Sequence, residues 1–122
     1  MKKILVVQFI ILLFSSGCYY DKYNKLYPPG SSSGCDSINV TYSSNITTIL
    51  SNYCQGCHNA LTASGGIVLD NYSQVKTYVT NGKLIGSVKQ LSGYISMPPG
   101  AKLSDCDIAK LQKWVNDGSP NN

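Results

Sequence analysis

Arginine and glutamate are absent from this chain of 122 residues, and charged residues of any kind make up only 13% of it. The formal charge of +4 comes from ten lysines, and two of these, Lys2 and Lys3, fall in an N-terminal leader described below. Without them eight lysines face six aspartates, which excludes the basic footprint of a nucleic-acid-binding protein. A hydrophobic content of 43% excludes a disordered acidic tail. Phenylalanine occurs only at Phe9 and Phe14, histidine only at His58, and tryptophan only at Trp114. A single histidine argues against multi-histidine metal sites and against serine–histidine–aspartate triads. The length is that of one domain with a tail.

Lys2 and Lys3 precede an uncharged, largely apolar run from Ile4 to Phe14. It is too short for the roughly 20 apolar residues of a membrane-spanning helix, and it has the layout of a signal-peptide core. Ser15-Ser16-Gly17-Cys18 follows, small residues running into a cysteine. This resembles the lipobox of bacterial lipoproteins, with Ser15 where that family most often has leucine. The resemblance implies a signal peptide over 1–17 and a lipid anchor on Cys18. A soluble secreted protein cut elsewhere is the alternative, and it leaves Cys18 unpaired. Residues 18–34, with no apolar period and a Pro, Gly and Ser-rich end, read as a lipidated Cys18 and flexible tether. Its root-mean-square reach is roughly 20–25 Å. The tether tyrosines Tyr19, Tyr20, Tyr23 and Tyr27 either stay in water or sit among lipid headgroups.

Cys54-Gln55-Gly56-Cys57-His58 is C-x-x-C-H, the spacing that attaches a c-type haem covalently. Two thiols three positions apart near a helix start can reach the two vinyl groups on one edge of a porphyrin, and the following imidazole then points at the iron. Three other readings use the same residues. A zinc site needs two more ligands, for which Cys35 and Cys106 are the candidates. A thioredoxin-type dithiol expects a preceding strand and a parallel sheet. A plain Cys54–Cys57 disulfide makes His58 incidental. The leader's oxidising destination weighs against zinc.

Met97, the only methionine beyond Met1, stands in Ser96-Met97-Pro98-Pro99-Gly100. The two prolines restrict their own backbone and that of the residue before each, which presents the thioether on a stiff, non-helical loop. That is the arrangement expected of a second axial ligand, and a thioether raises the potential of a haem iron. Generic core filling is the competing role for a methionine.

From about Ser43 to Gly118 the chain resembles a class I monohaem cytochrome c, and the small lipoprotein-anchored c-type domains of diderm bacteria. The residues that carry the resemblance are an apolar helix entering C-x-x-C-H, a Gly-rich loop, Met97-Pro98-Pro99, and a last helix with Trp114 ending in Gly118. It implies an all-α, small cytochrome c-like fold of about four helices wrapped around one covalently bound haem, occupying residues 35–122. Cys54, Cys57, His58 and Met97 are the implied cofactor-binding residues, with His58 and Met97 on the metal. Some members place Gly-Pro after the haem histidine; here Gly65-Gly66 follows without proline, and the acceptor of the His58 ring N–H is left open.

Ile46, Ile49, Leu50 and Tyr53 recur at helical spacing and predict a helix running into the motif, capped by Ser43, Ser44 or Asn45. Asn71 predicts the cap of another, with Tyr72, Val75 and Val79 inward and Asn81-Gly82 at its end. Leu84, Ile85, Val88 and Leu91 suggest a further helix weakened by Gly86. The last helix is the best specified. Leu103 and Ile108 staple N-cap Ser104, Asp107 sits at the capping-box position, and Asp105 and Asp107 face its positive end. Ile108, Leu111, Trp114 and Val115 make its apolar face, with Gly118 as left-handed stop and Pro120 blocking continuation. Residues 35–122 contain no Phe and bury little apolar area by themselves, so the haem is expected to complete the core. Tyr72, Tyr78 and Tyr94 are candidates for the haem propionates or for a wet rim.

With Cys18 lipidated and Cys54 and Cys57 in thioethers, Cys35 and Cys106 are left as a disulfide pair. The function expected is a membrane-tethered electron-transfer protein rather than an enzyme. One haem c cycles between Fe(III) and Fe(II) with His58 and Met97 ligation, in a bacterial cell envelope with the domain in the periplasm or at the cell surface. Redox proteins are its expected partners, and Lys83, Lys89 and Lys102 either steer an acidic one or are plain solvated surface. A haem enzyme or gas-binding sensor with a displaceable sixth position is the alternative; a peroxidase-like version lacks a second histidine for acid–base work. A third reading is a haem-bearing module that docks an outer-surface complex through its tyrosine-rich tether. Cys18→Ser is expected to move the protein from the membrane pellet to the soluble fraction. A wild-type protein already soluble in cells and without acyl mass rules the anchor out.

Overall fold

The computed structural model describes residues 35–122; the expected leader, the lipid anchor expected on Cys18 and the expected tether of residues 18–34 lie outside the described residues. The described chain is helical, with no strand. A π-helical turn, Tyr42–Ile46, runs directly into α1, Thr47–Tyr53. A 3₁₀ turn, Ser64–Gly66, precedes α2, Tyr72–Thr80, followed at once by α3, Lys83–Val88. The last helix, α4, spans Asp105–Asn116. Among the described residues no helix is long and apolar enough to cross a membrane.

The first helix starts earlier than its serines suggest. Thr41 is the cap: its hydroxyl accepts from the Ser44 N–H, while Asn45 Oδ1 takes the Thr41 N–H at 2.9 Å. The cap expected at Ser43, Ser44 or Asn45 is thus corrected by a reciprocal pair of bonds one turn upstream. Asn71 caps α2 as expected, accepting from the Gln74 N–H at 3.1 Å, and Asn81 with left-handed Gly82 ends it. Ser104 caps α4 through the Asp107 N–H, with its own hydroxyl donating to the Asp107 carboxylate at 2.7 Å. Buried Leu103 and half-buried Ile108 flank that cap, and Gly118 takes the left-handed stop at φ 89°.

The Trp114 indole is fully buried between α4 and the π-helical turn and donates to the Pro120 carbonyl at 2.9 Å. Tyr42 packs on it at 5.5 Å between centroids, and Tyr72 meets Tyr42 edge-on at 5.2 Å. Ile46, Leu50, Val75 and Leu111 fill the rest of this interior. The C-terminal segment closes over it: the Asn122 side chain and carbonyl take the N–H groups of Tyr42 and Ser43, each at 2.8 Å. Tyr72 belongs here and not at a cofactor rim, because its hydroxyl donates to the Ser119 carbonyl at 2.8 Å.

Two apolar stripes are shorter than their periodicity. Gln90, left-handed at φ 56°, stops α3, so Leu91 lies beyond the helix and is 48% exposed instead of inward. Tyr53 ends α1 at 47% exposure.

Cys35 and Cys106 are joined in a disulfide that links the first described residue to the first turn of α4. It closes a loop of 71 residues, for which chain-entropy arguments give a stabilisation of about 4 kcal/mol. Reduction, or Cys35→Ser, is expected to lower the urea unfolding free energy by about that amount. Alkylation of both thiols in the native, unreduced protein would show the pair unformed.

Candidate functional site

The motif lies just beyond the end of the helix expected to run into it. Cys54 is the C-cap of α1, and its carbonyl accepts from the Cys57 and His58 N–H groups at 3.1 and 2.9 Å. One tight turn therefore carries both sulfurs and the imidazole. The loop that follows is tied to this turn at several points: the Ser64 N–H donates to the Cys57 carbonyl, the Leu69 N–H to the His58 carbonyl at 2.8 Å, and Gln55 Nε2 to the Leu69 carbonyl at 2.9 Å. Asp70 Oδ2 takes the Ala60 N–H, and Asn59 Oδ1 those of Leu61 and Thr62. These bonds hold the motif on a scaffold of loops where helical structure ends.

Beside the turn is a mostly apolar cavity of about 400 Å³. That is within the roughly 300–1,000 Å³ usual for small-molecule and cofactor sites. Cys54, Cys57, His58 and Met97 all line it. Met97 arrives from a separate segment, whose backbone is pinned to α3 by the Met97 N–H donating to the Ser87 carbonyl at 3.1 Å. Leu69, Leu84, Val88 and Leu103 from the core supply apolar walls. Tyr53, Tyr78 and Tyr94 reach the cavity, as does Lys83.

Three features fit these residues to a c-type haem. Both motif thiols are free. His58 brings an imidazole to the cavity; its Nδ1 is buried without a hydrogen-bond partner, so the described residues supply no acceptor for the ring N–H that the sequence leaves open, and an iron would have to be met by Nε2. The walls are mostly apolar, with the Met97 segment among them.

The competing chemistries lose their requirements in the same structure. The disulfide occupies Cys35 and Cys106, the sulfur ligands a tetrahedral zinc site needs. Among the described residues no strand precedes the motif, as a thioredoxin-type dithiol expects. Burial pushes the Cys54 thiol up to about 11, whereas a redox-active dithiol depends on a depressed thiol pKa.

Of the lysines beside Met97 in sequence, Lys83 lines the cavity, while Lys102 is paired with Asp105 at 3.0 Å on the surface. Lys83 at the cavity wall depends on how α3 packs against the motif turn and could not be read from the chain. The seat of Tyr94 has a sequence signal, the one-turn spacing of Gly82 and Gly86.

No family model, no curated protein and no solved structure matches this chain.

Since neutral thiol is the favoured form at Cys54, its thiolate fraction is expected to keep rising until pH approaches 11. In haem-free protein, iodoacetamide is therefore expected to label exposed Cys57 well before Cys54 at pH 8, with the Cys54 rate climbing through pH 10, as followed by peptide mass spectrometry. Equal rates at pH 8 would contradict the buried, protonated thiol.

Proposed function

We propose that the protein is a membrane-tethered electron carrier that holds one c-type haem in the cavity between the Cys54–His58 turn and the Met97 segment. The observation that carries this reading is the convergence of two free thiols, an imidazole and a thioether on one mostly apolar cavity of about 400 Å³. Bound there, the haem supplies a one-electron Fe(III)/Fe(II) couple. Cys54 and Cys57 anchor it by thioether bonds. His58 ligates the iron from the turn that carries those sulfurs.

Met97 supplies the sixth ligand. Its thioether favours the ferrous state, and the apolar walls work in the same direction by disfavouring net charge. With His58 and Met97 both engaged, the bound group would pass electrons without transforming a substrate. Tyr53, Tyr94 and Ile95 line the cavity and are substantially exposed, which puts its mouth at the surface where a redox partner can approach. The lipid anchor expected on Cys18 confines this traffic to a membrane surface.

The wild-type protein, produced in cells that attach haem c, is expected to carry a haem that stays with the denatured chain and to show the ferric far-red sulfur-to-iron charge-transfer band. Met97→Leu keeps apolar volume and removes the ligand. It is expected to abolish that band and to let carbon monoxide bind the reduced protein. The potential should fall by on the order of 0.1–0.3 V, within the roughly 0.8 V that axial ligands span. An unchanged band and potential would make Met97 core filler and favour an open sixth position.

A further inference from the structure

Gly86 lies buried inside α3, one helical turn after Gly82. A Cβ at Gly86 would stand 2.4–2.5 Å from Cδ1, Cε1 and Cγ of Tyr94, and one at Gly82 would stand 3.4 Å from the Tyr94 hydroxyl oxygen. The tyrosine ring therefore lies along the bare face of α3, its hydroxyl end over Gly82 and its root over Gly86. No other residue type at position 86 admits the ring, since real Cβ atoms essentially never approach another heavy atom closer than 3.0 Å.

The chain around Tyr94 is bound to the same helix. The Leu91 N–H donates to the Gly86 carbonyl at 2.9 Å, the Tyr94 N–H to the Leu91 carbonyl at 3.1 Å, and the Met97 N–H to the Ser87 carbonyl. Gly93, at φ 87°, turns the chain between the first two of these bonds and the ring. Met97 is three residues from Tyr94, and both side chains line the cavity. With 41% of Tyr94 exposed, burying the ring is not what this contact achieves.

We propose that Tyr94, seated on the Gly82–Gly86 face of α3, is a positioning residue that fixes the Met97 segment and thereby sets how firmly the thioether is held at the cavity. As a statement about ligation this rests on the haem reading above; as a statement about Met97 it does not. Gly86→Ala unseats the ring with Met97 itself untouched. Tyr94→Ala removes the ring and leaves the glycine face bare. Tyr94→Phe keeps the contact, because the ring carbons and not the hydroxyl occupy the tight seat.

The test uses the haem-loaded protein and compares wild type with Gly86→Ala, Tyr94→Ala, Tyr94→Phe and the Gly86→Ala/Tyr94→Ala double variant. Positioning predicts a weakened far-red band, and carbon monoxide binding to the reduced protein about tenfold faster, in both alanine variants. Tyr94→Phe should stay within about twofold of wild type, and the double variant should be no faster than Tyr94→Ala alone, because the two changes break one contact. Unchanged band and rate in both alanine variants overturn the proposal, as do effects that multiply in the double variant. Should Gly86→Ala not fold, Tyr94→Ala against Tyr94→Phe decides on the same readouts.

If wild type lacks the far-red band or carries no haem, it is the ligation reading that has failed, and peroxide oxidation of Met97, followed by peptide mass, takes over as readout. Positioning then predicts oxidation about tenfold faster in Gly86→Ala and Tyr94→Ala but not in Tyr94→Phe. Equal rates in all variants overturn it.

Discussion

The buried indole of Trp114 organises the described chain. Its N–H is satisfied by the Pro120 carbonyl and its face by Tyr42, so α4, the π-helical turn and the C-terminal segment are locked around one side chain. Polar groups near it find partners: Tyr72 and Lys76 donate to carbonyls of residues 118 and 119, and Asn122 satisfies two N–H groups at the start of the π-helical turn. A domain with no Phe after residue 34 has little apolar volume to distribute. Part of it is packed at the Trp114 pole, and part of the same cluster, Leu69, Leu84, Val88 and Leu103, walls the cavity. The opposite pole, where α1 ends and the Met97 segment returns, is an apolar cavity whose one buried unpaired side-chain nitrogen is on His58. A packed core on one side and an open, mostly apolar cavity on the other is the layout on which the haem proposal rests.

Helix ends were more legible in the sequence than helix faces. Asn71, Ser104 and Gly118 act locally, within one turn, and the structure uses each as its residue type predicts. The first cap was misplaced because Ser43, Ser44 and Asn45 are all competent. What selects Thr41 is the pairing of its N–H with Asn45, a choice that depends on a π-helical turn the apolar spacing does not encode. Leu91 matched the period of α3 and still fell outside it, since a period does not register the left-handed step at Gln90. The apolar period turns Tyr72 inward, as the structure has it, but only long-range packing, which brings the Ser119 carbonyl to its hydroxyl, removes it from the candidates for a cofactor rim.

The site divides in the same way. Cys54, Cys57 and His58 are fixed relative to one another by a spacing of a few residues, so the motif could be read from the chain. That Met97 faces the same cavity depends on the return of residues 91–97 across α3, a tertiary fact that only its uniqueness and the following prolines hinted at. Lys83 stood out in the sequence only as a possible surface lysine; its place in the cavity wall follows from how α3 packs.

Gly86 shows how a local rule can read a feature with the wrong sign. A glycine inside a helix costs about 1 kcal/mol relative to alanine, and α3 has only six residues over which to recover it. By propensity it is a defect, and alanine would make the better helix. In the structure an alanine methyl would stand where the Tyr94 ring already lies, so alanine fits only if the ring gives up its seat. The helix is thus shaped less for its own stability than as a surface for the chain that returns over it. That chain ends on Met97. A weak, short helix with a bare face is therefore consistent with a site whose last side chain must be placed from outside the motif, by contact rather than by sequence spacing.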